Sequence, residues 1–412
     1  MMKKAIILGG TYDHIALIKN LKNRGYHTIL LDYSENPVAK KFADTFIRES
    51  TLDKNKVLEI AEYYLVDLVI ATCIDQALLT VAYVSEKLGL PSHLTYLQSK
   101  NLTNKVFMKK LFKENNIPSS DFIVMKDKVD TYVLDNLQDF PLVVKPADSN
   151  SSKGVKKVNN TDELYIAAND AFNFSICKEI IIEGFVAGLE LSVDVVVINS
   201  KANVLLITEN IINSENINNF TIIQSVFKNE YLNKYKNSIE RIANKIALAF
   251  GIKNGPLLIQ LLVDEENISL IEFSSRIGGG SKHSFIKSIT EFDFLNYFID
   301  IILDINNNSS FNLNFNYGTL IYIYCDNGII DNFIGFRELK KENVLTNFYH
   351  YKTVGTSILN RISSSDRSSG FLVLGNTKEE INKNINLANF KLKILDVNSV
   401  DIMIHDLFKL ID

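Results

Sequence analysis

Short apolar runs and segments of helical period alternate along the first hundred residues. KAIILGG is a buried strand closing on glycines, HIALIKNLKNRGY has helical spacing with Gly25 as its stop, and HTILLDY is a strand ending in Asp32. NKVLEIAEYYLV is helical, DLVIATC a strand, and QALLTVAYVSEKLGL a helix closed by Gly-Leu-Pro. Strand and helix in alternation predict a parallel sheet of Rossmann type. Ligands of such sheets sit at the C-terminal strand ends. Gly9, Gly10, Asp32 and the TCIDQ turn with Asp75 are therefore expected to face a cleft.

After Pro91 the pattern changes. LTNKVFMKKLFKENNIP predicts one basic amphipathic helix, with Leu102, Val106 and Leu111 on its apolar side. FIVM and FPLVVKPA read as strands, TDELYIAANDAF as a helix and EIIIEGFVAGLELSVDVVVI as a hairpin, together a small α+β unit. ANVLLITEN predicts a strand, IINSENINNF a polar loop, and NSIERIANKIALAFGI a helix. The strands PLLIQLLVDE and ISLIEFSS follow, then a glycine run and another helix. The tail has short strands, GTLIYIYC and GFLVLG, and a helix capped by Asn376 or Thr377 with Glu379 or Glu380 assisting. No internal repeat is present.

The chain has 412 residues, too many for a single core, since cores stop growing at roughly 250–300 residues. Its 46% hydrophobic and 22% charged residues are those of a globular protein, and a net charge of −4 gives no global basic field for nucleic acid or anionic membrane. Cys73, Cys177 and Cys325 lie far apart without metal-ligand spacing, which fits a reducing compartment; Cys73 and Cys177 read as small core residues. The apolar stretch after MMKK is too short for a signal peptide, and no segment has the roughly 18 apolar residues of a membrane span. The cytoplasm is the expected location.

The chemistry concentrates in three stretches. In PLVVKPADSNSSKGV, Lys145 ends a strand, Ser151, Ser152 and Lys153 form a polar turn, and Gly154 permits the positive φ of a loop wrapped on phosphate oxygens. A solvated turn explains that stretch equally well, and the P-loop pattern GxxxxGK[ST] is absent. In IIIEGFVAGLELSVDV, Glu183 ends one strand and Glu190 begins the next, with Ser192 and Asp194 on the face of Glu190. In PLLIQLLVDEENISLIEFSSRIGGG, Gln260 lies mid-strand, and Glu272, Ser274 and Arg276 alternate toward one side. A carboxylate, an amide and a hydroxyl on one cleft suit Mg²⁺, with a buried ion pair closing a sheet edge as the structural alternative.

The order Lys105, Lys145, the SNSSKG loop, Glu183 to Glu190, Gln260, Glu272 and Arg276 resembles the ATP-grasp superfamily, in the branch of carboxylate–amine ligases related to carbamoyl-phosphate synthetase and biotin carboxylase. The resemblance covers nearly the whole chain. It implies an α/β and α+β ATP-grasp fold: a Rossmann-like pre-ATP-grasp domain over 1–100, an ATP-grasp region over 101–310 with a lid at about 120–190, and a C-terminal α+β closing segment over 311–412. It also implies ATP and Mg²⁺ (or Mn²⁺) as cofactors. Lys105 and Lys145 resemble the nucleotide-phosphate lysines, and residues Ser151 to Gly154 the loop over the phosphates. Glu183, Phe185 and Val186 resemble the adenine hinge, and Glu190 the ribose ligand. Gln260, Glu272 and Ser274 match metal-binding positions, and Arg276 a catalytic arginine with Lys145. Two departures matter. Gln260 stands where many relatives have an acid, and Ser274 where the usual Glu-x-Asn-x-Arg has asparagine, which leaves the number of metals open. The substrate residues of biotin carboxylase are not recognisable.

The implied activity is ATP-dependent activation of a small carboxylate, an amino acid by preference, as an acylphosphate for attack by an amine. Gly278, Gly279, Gly280 and His283 in GGGSKH, together with Asp75, are the candidate substrate residues; His283 reads equally as a base for the amine or as a capping histidine. Small-molecule carboxylate and amine are the expected partners, with neither nucleic acid nor membrane, and a homodimer is common among similar proteins. Two rival readings stand beside this one. A dinucleotide enzyme is suggested by ILGG, although GGTYDH lacks GxGxxG. A nucleotide-binding protein without turnover is suggested by Gln260 and Ser274.

Overall fold

A computed structural model of the chain describes residues 2–149, 153–213, 220–264, 267–306, 312–359 and 362–412. The alternation at the N-terminus folds as expected into a four-stranded parallel sheet, in the order Thr45–Arg48, Tyr26–Asp32, Lys3–Leu8, Leu68–Ala71. Helices Tyr12–Asn23, Lys54–Tyr64 and Asp75–Leu88 cover it. The last stops at Gly89, in the left-handed region at φ 64°, where a residue without a Cβ ends a helix at no steric cost.

The basic segment that follows forms two helices rather than one, Tyr96–Leu102 and Lys105–Glu114. Asn104 causes the break: its side chain accepts from the Phe107 amide and so caps the second helix instead of continuing the first. Leu102 and Val106 are buried, and Leu111 packs against the core. A second four-stranded, antiparallel sheet lies in the stretch where a lid is expected, in the order Phe122–Lys126, Glu179–Gly184, Leu142–Pro146, Lys156–Val158, backed by helix Thr161–Phe174.

EIIIEGFVAGLELSVDVVVI is not a hairpin. Its first strand, Glu179–Gly184, belongs to the second sheet, whereas Leu189–Ile198 pairs with Gly255–Val263 and Lys201–Ile212 in a third sheet. The crossing is made at Gly188, with φ 146°, where a Cβ would lie 2.4 Å from the Val263 carbonyl oxygen. That third sheet has eight antiparallel strands and spans the middle and the tail of the chain: Ile268–Ser274, Gly255–Val263, Leu189–Ile198, Lys201–Ile212, Ile222–Lys228, Tyr317–Ile323, Ser369–Gly375 and Asn347–His350. One of several core clusters joins distant parts of the chain, with Leu17 near the N-terminus, Ile286 and Phe298 of the middle and Leu372 of the tail.

In the tail, Thr377 caps helix Lys378–Lys391 by accepting from the Glu380 amide, while Glu380 accepts from Asn376. Cysteine burial departs from expectation: Cys177 is exposed, Cys73 half-buried, and Cys325 the buried one. Among the described residues no helix is long and apolar enough to cross a membrane.

Candidate active site

The three sheets meet around a cleft of about 1180 Å³. Gly9, Gly10, Asp32 and Asp75 line it from the first domain, as the strand-end rule requires. The Gly10 amide donates to Asp32 at 2.6 Å, which fixes that turn.

Lys145, next to last in its strand Leu142–Pro146, is buried and ion-paired with Glu183 at 2.5 Å. Glu183 also receives Lys109 at 2.6 Å and the Ser120 hydroxyl at 3.0 Å. Burial alone would raise the Glu183 carboxyl, but the two ammonium groups outweigh it and hold it at about 2. Lys109 is pushed down, because burial and the neighbouring Lys145 together outweigh Glu183. The triad thus holds two cations on one anion. Lys109 was not singled out from the sequence, although it lies one helical turn after Lys105; it sits behind Glu183, outside the cleft lining.

Lys105, the first residue of its helix, donates to the Ser149 carbonyl at 2.7 Å and lies 3.3 Å from Glu272. It therefore ties the second sheet to the third. Gly154 has the positive φ its position called for, 74°, and packs against Phe174 and Pro146, while Lys153 is exposed and outside the cleft lining. Ser151 and Ser152 lie outside the described residues. Phe185 and Val186, on the crossing from the second to the third sheet, both line the cleft.

Gln260 and Glu272 stand directly opposite each other in the ladder, and Ser274 and Arg276 follow on the same side; all four line the cleft. Gln260 reaches Glu190 at 3.4 Å, and Asn210 donates to Glu190 at 2.8 Å. The Glu190 carboxyl is raised, by burial first and then by the nearby Glu272, against those two amides. One carboxylate with an amide and a hydroxyl is too few donors for an all-protein cage. Among the described residues no cluster of three acidic, His or Cys groups could hold a metal. The set fits Mg²⁺, which takes one or two carboxylates and completes its shell from phosphates and water.

Arg276 forms a bidentate pair with Asp75, at 2.6 and 2.7 Å, bridging the third sheet to the first domain. The pair holds the Asp75 carboxyl down despite its burial. The glycine run turns beside it: the Gly278 amide faces Asp194, and its carbonyl accepts from Cys73 at 3.4 Å. His283 does not line the cleft. Its Nε2 lies 3.4 Å from Asp13, at the junction with the first domain, so the role of base is not supported there. The neighbouring Lys282 does line the cleft, almost fully buried and donating to the Thr208 hydroxyl, and burial lowers it to about 8.

The arrangement is thus a four-stranded sheet and an eight-stranded sheet closing on lysines and a carboxylate. Residues 138–284 match the model of the ATP-grasp domain, and the chain carries that domain within an ATP-grasp fold. A D-alanine–D-alanine ligase from Thermosipho africanus (strain TCF52B) is 39% identical over 95 residues, 22% of this chain and 25% of that protein. The chain thus spans about a quarter of that relative's length. Among solved structures, an L-amino acid ligase from Bacillus licheniformis superposes with TM-score 0.77 at 19% identity, over 96% of this chain and 98% of that one. The biotin carboxylase domain of a Hydrogenobacter thermophilus 2-oxoglutarate carboxylase, in complex with MgADP, gives 0.78 at 15%, over 96% and 91%. At these identities the likeness is one of fold.

Proposed function

We propose that the protein is an ATP-dependent ligase that activates a small carboxylate, an amino acid, as an acylphosphate and transfers the acyl group to an amine. The observation that carries the reading is the convergence of Lys145, Lys105, Glu272 and Arg276 on one cleft. The names of the relatives, amino-acid ligases among them, agree with it.

In this reading a carboxylate oxygen of the substrate attacks the γ-phosphorus of ATP and the bond to ADP breaks. The amine then attacks the acyl carbon, loses a proton, and phosphate leaves. Lys145 and Lys105 place fixed positive charge against the phosphates, which favours the charge-dispersed transition state. Glu183 and Lys109 orient Lys145. Glu272, Gln260 and Ser274 would hold Mg²⁺, whose chemistry is to neutralise charge on phosphoryl oxygens. Arg276, held in its plane by Asp75, offers its remaining N–H groups to the substrate carboxylate and to the oxyanion of the tetrahedral intermediate. Phe185, Val186 and Glu190 would border the nucleoside.

The test is ATP-dependent phosphate release over a panel of amino acids and amines, alone and in pairs. Glu272→Ala is expected to abolish release while leaving the protein folded by circular dichroism. Undiminished release by that variant would sink the assignment. ATP binding without turnover across the panel would favour a non-catalytic nucleotide-binding protein.

A further inference from the structure

Three cations of the cleft are neutralised by carboxylates: Lys105 by Glu272, Lys145 by Glu183 and Arg276 by Asp75. Three others that line it, Arg367, Lys282 and Lys352, form no ion pair among the described residues; Lys352 donates to the Ser365 carbonyl at 2.8 Å, and the other two lie beside the glycine run. Arg367 lies two residues before the first residue of the strand Ser369–Gly375, and its guanidinium lies 3.5 Å over the Tyr322 ring. Its Nε donates to the Tyr324 hydroxyl at 3.3 Å and its Nη2 to the Ile222 carbonyl at 3.2 Å. Among the described residues Nη1 has no hydrogen-bond acceptor, and no carboxylate lies within 4 Å of the group. Lys282 makes no ion pair within 4 Å among the described residues; its ammonium donates to the Thr208 hydroxyl and is attracted by the buried carboxylate of Asp194.

The surroundings hold this pair in place. A Cβ on Gly280 would lie 2.6 Å from Arg367 Nη1 and 2.8 Å from the Tyr322 hydroxyl, so only glycine leaves room for the fork. The Tyr322 hydroxyl donates to the Gly280 carbonyl at 3.3 Å, and the Tyr351 hydroxyl to Ser281 at 3.2 Å. Asp194, which attracts Lys282, is fully buried, and its Oδ2 has no hydrogen-bond partner among the described residues. The Arg367 guanidinium, in a fixed plane with a free N–H edge, is short of an anion. The fork matches a carboxylate.

We propose that Arg367, supported by Lys282, binds a carboxylate that is not the one activated, so that one of the two substrates carries a second, non-reacting carboxylate. That carboxylate belongs either to the amine, which is then itself an amino acid, or to a dicarboxylic donor. The proposal deepens the ligase reading and rests on it for the substrates' roles, whereas the binding itself is testable without turnover.

The experiment is ligand-detected NMR on the full chain without ATP, using the twenty amino acids and their carboxamides. The expected result is saturation transfer to one or more amino acids that falls at least tenfold for the matching carboxamide. Arg367→Gln is expected to lose it and Arg367→Lys to regain part. The amines of active pairs then tell the sources apart in steady-state phosphate release. If the amine supplies the group, its carboxamide and the Arg367→Gln variant each raise its KM roughly 100-fold with kcat little changed. If the donor supplies it, aspartate and glutamate outperform asparagine and glutamine, and Arg367→Gln erases the preference. Gly280→Ala, which displaces the fork without removing it, is expected to weaken binding in the same way. Equal binding of acids and carboxamides, no binding of either, or binding indifferent to Arg367→Gln would overturn the proposal. Absence of phosphate release with any pair, with binding intact, would overturn the ligase reading and leave the subsite standing.

Discussion

Replacing Glu183 by Gln removes the carboxylate that Lys145 and Lys109 share. The carboxyl stands at about 2 in the fold against 4.5 when free. That difference is worth about 3 kcal/mol, at about 1.4 kcal/mol for each tenfold change in proton affinity. Breaking a buried ion pair from one side costs a similar ~3–5 kcal/mol. The sign follows from the depressed value: the contribution is complete above the unfolded carboxyl's 4.5 and is lost as pH falls through about 2. Urea unfolding of wild type and Glu183→Gln at pH 7, 5 and 3 reads it out. The difference should be about 3 kcal/mol at pH 7 and 5 and shrink to about 1.4 kcal/mol at pH 3. A variant within about 0.5 kcal/mol of wild type at pH 7, or a gap that widens as pH falls, would refute the reasoning.

Other outcomes follow from the same geometry. Lys145→Met should weaken ATP binding at least tenfold in a fluorescence titration, whereas Lys109→Met, outside the cleft lining, should change it far less. Asp75→Asn frees Arg276 from its bidentate partner, so the KM for the donor acid should change with kcat/KM falling, and Asp75→Glu should restore part of it. Gly188→Ala places a Cβ against the Val263 carbonyl, so a lowered thermal midpoint is expected, read by calorimetry.

How much of this was legible in the chain depends on how local each signal is. The parallel sheet came from strand–helix alternation, and Gly89 and Thr377 end and begin their helices by local chemistry alone. The pairing of Gln260 with Glu272 followed from two adjacent strands with alternating faces. The false hairpin shows the limit: alternation says that two segments are strands, not which sheets they join, and Gly188 sends them to different ones. Likewise, nothing in EGF announces that Glu183 turns inward to two lysines from separate elements. Lys282 lies in GGGSKH, but nothing in that motif tells that Lys282 and not His283 reaches the cleft. Arg367 sits in SSSDRSSG, a serine-rich run with no periodicity, and only the tertiary contact with Tyr322 and Gly280 marks it.

The central claim is that a substrate carboxylate attacks ATP to form an acylphosphate, and isotope transfer tests it most directly. Amino acids labelled with ¹⁸O in the carboxyl group, incubated with ATP, Mg²⁺, an amine and the enzyme, should yield phosphate carrying one ¹⁸O per turnover by mass spectrometry. Turnover that releases phosphate without ¹⁸O would contradict the account.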